Sequence, residues 1–299
     1  NVAGVTGLLN ELLTATKSYA DAEVATIAKY ARQSGVYGAD FELMPWDWAY
    51  FTEKYKSENY NVSEEKTKPY FELEHTKQAI FKLAELLYGI RFVERKDIEP
   101  YNPEVAVYEV TEADGESIGI LYMDFFPRES KRGGAWMSSF REHATTADGT
   151  EELPLIIMCC NFTKPTENTP SLLTFYEFET FLHEFGHCLH GLLAEGKYGS
   201  LAGTSVYRDF VELPSQIMEN WATEPEFLDI VAVHYQTGEK MPRELVDNII
   251  ASKNFLAAYG NIRQLSFGLA DMAFHGITEP ITEDVESFER KATAPTQVL

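Results

Sequence analysis

Hydrophobic spacing along the chain is helical at first, then strand-like, then helical again. Apolar residues recur at helical intervals over residues 5–32, and Ser34-Gly35 stops the run. Further helices are predicted over 46–56 after Pro45, over 64–69, and over 76–88, the last closed by Gly89. The period then changes. Residues 105–110 and 118–123 alternate or run apolar on either side of Asp114-Gly115, which is a hairpin signal. Residues 153–160 read as another strand and 163–170 as loop. From Thr174 onward the spacing is helical with short breaks, including 243–255 and 262–274. No internal repeat or low-complexity segment interrupts this order. The pattern predicts a mainly α fold with a small antiparallel β-sheet: helical to about residue 100, sheet over 101–161, and helical again over 174–299.

The helix predicted from Thr174 is apolar nearly all round, through Phe178, Phe181, Leu182, Phe185, Leu189 and Leu192. That marks a buried element. Within it lies His183-Glu184-Phe185-Gly186-His187, the zinc-hydrolase pattern H-E-x-x-H. Residues four apart share a helix face, so both imidazoles can reach one metal ion. Glu184 is offset round the helix, where it reads as the general base of a hydrolase rather than a ligand. Catalytic zinc takes three protein ligands and keeps one position open. Glu212, 25 positions after His187 (212 − 187), is the candidate third ligand; the loop over 196–203 can turn the chain back, and a helix through Ile217, Met218 and Trp221 can present it. His190 lies about 10 Å along the axis from His183, too far to join the same ion, and reads as a packed histidine or one that orients a ligand. A metzincin would carry glycine and a third histidine where this chain has His190 and Leu193, so that class is excluded. Glu179 and Glu219 are candidates to orient a ligand, with an ordinary surface glutamate as the alternative at each. Tyr207 and Tyr259 are candidates to position substrate, with packing as the alternative.

These segments together resemble the thimet oligopeptidase and oligopeptidase A family of zinc metallopeptidases. The resemblance rests on His183-Glu184-Phe185-Gly186-His187, Arg208-Asp209-Phe210-Val211-Glu212 and Pro214-Ser215-Gln216. Upstream it extends to Trp46-Asp47-Trp48, Leu87-Tyr88-Gly89-Ile90, Asp124-Phe125-Phe126-Pro127-Arg128, Lys131-Arg132-Gly133-Gly134-Ala135-Trp136-Met137 and Cys160-Asn161-Phe162. The pattern is most similar to the bacterial peptidyl-dipeptidase (dipeptidyl carboxypeptidase) branch. It implies a zincin-like, single catalytic region over 1–299, with one Zn2+ on His183, His187 and Glu212 and with Glu184 as catalytic base. It implies release of C-terminal dipeptides from short peptides, or internal cleavage of the oligopeptidase kind. The chain starts at Asn1 rather than methionine, and it stops at Leu299, where the family's glycine- and tyrosine-rich segment would begin. The resemblance therefore implies an internal fragment that binds zinc and turns over peptides poorly.

Composition adds three constraints. The net charge of −22, from 25 basic and 47 acidic residues, disfavours nucleic acid, which selects basic stripes. No apolar run approaches the length of a membrane helix, so neither nucleic acid nor membrane is an expected partner. A monomer acting on short peptides is the expectation. The cysteines, Cys159, Cys160 and Cys188, are odd in number and form no Cys-x-x-Cys, which favours a reducing compartment. A cytoplasmic site is expected, with the periplasm as the alternative. Gly133-Gly134-Ala135-Trp136 is either a sheet edge for a peptide or a turn beside a core tryptophan, and Lys131-Arg132 reads equally as a solvated pair. Two other classes compete: a peptide-binding module with structural zinc, and a different gluzincin such as an aminopeptidase. Structural zinc usually takes four ligands rich in cysteine, which argues against the first.

Overall fold

A computed structural model describes residues 1–38 and 40–299. In chain order the elements are α1 (Val2–Gln33), α2 (Trp48–Tyr60), α3 (Glu64–Thr67), α4 (Leu73–Tyr88), β1 (Arg91–Glu94), β2 (Ala106–Thr111), β3 (Ser117–Asp124), β4 (Trp136–Arg141), β5 (Ala144–Thr145), β6 (Glu151–Glu152) and β7 (Leu155–Cys159). Then follow α5 (Phe175–Leu192), α6 (Leu213–Glu219), α7 (Pro225–Val231), α8 (Arg243–Ser252), α9 (Ala257–His275) and α10 (Val285–Thr293). Two compact units divide these elements, residues 1–62 with 248–299, and residues 63–247.

In the first unit, Ala20 of α1 packs with Ile262 and Leu265 of α9, and Ile27 and Ala31 pack with Leu43 and Phe51. Trp48 stacks on Tyr259 with ring centroids 4.1 Å apart. Tyr259 thus has a packing partner inside this unit.

The second unit is built round α5. Its N-terminus is fastened by a capping box: Glu177 N–H donates to Thr174 Oγ1 (2.9 Å), and Thr174 N–H donates to Glu177 Oε2 (2.8 Å). Phe178, Phe181 and Phe185 are fully buried. They meet Phe71 at 4.7 Å, Phe125 at 5.2 Å and Phe92 at 5.6 Å between ring centroids. Aromatic burial on this scale gives α5 its fixed place.

The five-stranded sheet has the order β1-β2-β3-β7-β4. β2 and β3 form the expected hairpin, with Ala106 opposite Met123. The sheet is mixed rather than antiparallel, which corrects the expectation: β3 and β7 run parallel, with Ile120 opposite Leu155. A parallel neighbour needs a long crossover. The segment from Phe125 to Pro154 provides it, placing β4 at the edge and returning β7 between β3 and β4. The unbroken apolar run of β7, buried from Ile156 to Cys159, suits this central position. β1, β5 and β6 were not foreseen as individual strands, β1 lying inside the stretch expected to be helical, while β4 begins at Trp136, the end of the Gly133–Trp136 stretch read as a sheet edge or a turn.

Lys131 does not belong to a solvated pair. Its side chain is 2% exposed, and its Nζ donates to Asp124 O, Asp124 Oδ1 and Phe126 O at 2.8–3.0 Å. Arg128 and Tyr101 also donate to the Asp124 carboxylate. Burial works to raise this acid, but the hydrogen bonds from Lys131 and Arg128 outweigh it and hold Asp124 below the usual carboxylate range.

Candidate metal centre

α5 carries His183, Glu184 and His187, and α6 begins at Glu212, its N-cap residue. The two helices meet at backbone distance because residue 186 is glycine. A Cβ there would lie 2.6 Å from Pro214 O and from Ser215 Cα. That approach brings Glu212 over the two imidazoles. Gly186→Ala is expected to cost about 1–3 kcal/mol through overpacking and to weaken metal binding, because α6 must shift away from α5. Thermal unfolding and a zinc titration check both.

One donor atom each from His183, His187 and Glu212 lie within 4.8 Å of one another, the sole such cluster of His, Cys, Asp or Glu among the described residues. His183 Nε2 is 3.3 Å and His187 Nε2 3.1 Å from Glu212 Oε2. Ser215, fully buried, donates its hydroxyl to Glu212 Oε2 (2.8 Å) and to Glu212 O (2.9 Å), fixing the carboxylate against its own helix turn. Burial acts to raise the Glu212 pKa, but the Ser215 bond and the two histidines hold it lower than usual. Burial lowers His187, against the pull of Glu212, so its imidazole favours the neutral form that can ligate.

His183 Nδ1 lies 2.6 Å from Glu219 Oε1. A carboxylate there selects the tautomer with the proton on Nδ1 and leaves the Nε2 lone pair directed at the donor cluster. Glu219 thus makes one of the two glutamate contacts considered for orienting a ligand. Glu179 and Glu219 both line a cavity beside His183. Glu219→Ala is expected to lower metal affinity about 10- to 100-fold with Glu184 untouched; competition with a chelator of known affinity measures it.

Glu184 is 5% exposed, and its Oε2 has no hydrogen-bond partner among the described residues. Burial pushes it up to about 7, with His183 and the Met137 backbone amide drawing it down and Glu212 raising it. A buried carboxylate oxygen without a donor is costly; Glu184 lines a cavity of about 400 Å3 together with Trp136, Met137, Arg208 and Glu212. A second cavity of about 390 Å3, lined by Tyr176, Glu179 and Glu219, shares Ala135, His183 and Glu184 with the first. The histidine and glutamate thus stand between two hollows. Larger cavities occur elsewhere, one of about 670 Å3 in the first unit, but among the described residues none gathers such a donor set.

His190 stands outside the cluster, with its ring 6.2 Å from Phe210. Tyr207 is 89% exposed. The three cysteines are free, buried and outside the cluster. Ser215 and Arg208 stand in the sequence only within the segments that carry the resemblance, with no role read for either. Ser215 was legible as a hydroxyl three residues after Glu212, the spacing that brings side chains together on a helix turn.

Comparison with known proteins gives a consistent result. The family model "Peptidase family M3" matches residues 1–296. Oligopeptidase A of Escherichia coli (strain K12) is 40% identical over 281 residues, covering 94% of this chain and 41% of that protein. Dipeptidyl carboxypeptidase of the same strain is 41% identical over 287 residues, covering 95% and 41%. Saccharolysin of Saccharomyces cerevisiae is 37% identical over 246 residues, covering 80% and 35%. The chain therefore spans about two fifths of the length of the bacterial relatives.

Proposed function

The chain belongs to peptidase family M3, and on that premise we propose that it hydrolyses peptide bonds in short peptides, using one zinc ion held by His183, His187 and Glu212. The observation that carries this reading is the convergence of two imidazoles and one carboxylate beside a buried glutamate. Such a donor set suits catalytic zinc, because three ligands leave a position open, whereas structural sites close with four.

When bound, zinc would supply Lewis-acid polarisation of a water and of the peptide carbonyl. The protein's own groups do the rest. Glu219 fixes the His183 tautomer and ring. Glu184 accepts a proton from the attacking water as the C–O bond forms, then delivers it to the amide nitrogen as the C–N bond breaks. β4 pairs with β7 along one side only among the described strands, so its other edge offers backbone N–H and C=O groups. Ala135, Trp136 and Met137 line the cavity beside Glu184. An extended peptide adding to that edge would be held with its scissile bond at the centre.

The overall sequence pattern, most similar to the peptidyl-dipeptidase branch, favours release of C-terminal dipeptides. Near-equal identity to oligopeptidase A and dipeptidyl carboxypeptidase supports internal cleavage as the second reading. Mass spectrometry of the products from a peptide of about ten residues separates them: successive losses of dipeptides support the first, and internal fragments the second. The acidic charge gives nucleic acid no purchase, and no helix among the described residues is long and apolar enough to cross a membrane.

A further inference from the structure

The edge strand beside Glu184 has only one neighbouring strand among those described, so something else must hold its entrance in place. The segment from Lys131 to Trp136 is fastened at two points. At its root, Lys131 is locked into the buried Asp124 cluster. At its tip, the Asn161 side chain donates from Nδ2 to Arg132 O (2.9 Å) and Gly134 O (2.6 Å), using both amide hydrogens. Gly134 has φ 88°, in the left-handed region that favours glycine, so this turn has a specific shape to keep. The Arg132 guanidinium lies 4.5 Å from the centre of the Trp136 ring and closes the same turn from outside. Ala135, immediately after the turn, borders both cavities. Asn161 itself lines neither cavity.

We propose that Asn161 is a positioning residue for peptide binding: its amide pins the turn at Arg132–Gly134, so that the edge from Ala135 to Met137 is held in shape before a peptide arrives. This rests on the peptidase reading above. Without the two hydrogen bonds the turn must be ordered by the peptide, and that ordering is charged to binding rather than to the chemical step.

The test is steady-state hydrolysis of a short quenched peptide by the intact protein and by three variants, with zinc content measured in each. Asn161→Ala is expected to raise KM about tenfold, with kcat within about twofold and zinc content unchanged. Asn161→Asp is expected to raise KM further, because an isosteric carboxylate donates nothing and faces two carbonyl oxygens. Asn161→Gln, which keeps both amide hydrogens on an arm one methylene longer, is expected to fall between the unmutated protein and Asn161→Ala, and that comparison still decides if the aspartate variant fails to fold. A packing role ranks the first two the other way, with the isosteric variant milder. An unmoved KM, an aspartate milder than alanine, or a fall confined to kcat overturns the inference and leaves the peptidase reading standing. No hydrolysis by the unmutated protein overturns that reading and the inference together.

Discussion

Glu184→Gln is expected to keep its zinc and to lower kcat for a short peptide by about 10²- to 10⁴-fold, the usual contribution of a positioned general base. Glutamine has nearly the same shape but cannot accept the proton of the attacking water. The substitution also removes a buried carboxylate whose Oε2 has no donor among the described residues, so the folded protein should not suffer. Zinc content by mass spectrometry and kcat on a quenched peptide decide the matter together. Turnover equal to the unmutated protein would remove the general-base role. Loss of the metal would instead make Glu184 a ligand.

Removing the third donor has the next largest effect. Glu212→Ala is expected to weaken zinc binding by more than about 100-fold, beyond what loss of an outer hydrogen-bond partner costs, and to bring hydrolysis to background. His183 and His187 remain on α5, but the site loses its single anionic donor. Stability should change little in the metal-free protein, because the Glu212 side chain is half exposed and accepts no backbone N–H of α6, and Ser215, which loses its bond to Oε2, keeps the one to Glu212 O. Chelator competition and metal-free thermal unfolding read the two effects separately. A variant that retains zinc with unaltered affinity would disqualify Glu212.

The donor set was legible because it depends on local rules. His183 and His187 are one helical turn apart, and the helix that carries them is announced by its apolar surround. Glu212 was legible as a carboxylate opening the next helix, although its approach depends on Gly186 meeting Pro214 and Ser215 across the interface between α5 and α6. That interface also decides between Glu179 and Glu219 at His183 Nδ1, and no spacing rule reports it. Strand direction was hidden for a similar reason. The apolar run of β7 identifies a buried strand, but its parallel pairing with β3 is set by the long crossover through β4. β4 itself gave little signal, since Trp136-Met137-Ser138-Ser139-Phe140-Arg141 lacks a clean alternation and one of its edges borders the cavity instead of another strand. The joining of residues 248–299 with 1–62 in one unit depends on contacts far apart in sequence, such as Ala20 with Ile262.

Both variants presuppose one zinc ion held by His183, His187 and Glu212. Anomalous X-ray scattering collected on both sides of the zinc absorption edge, from crystals grown with equimolar zinc, tests it most directly. One strong peak among His183 Nε2, His187 Nε2 and the Glu212 carboxylate is expected. A peak at other residues, or none at this centre in zinc-soaked crystals, would contradict it.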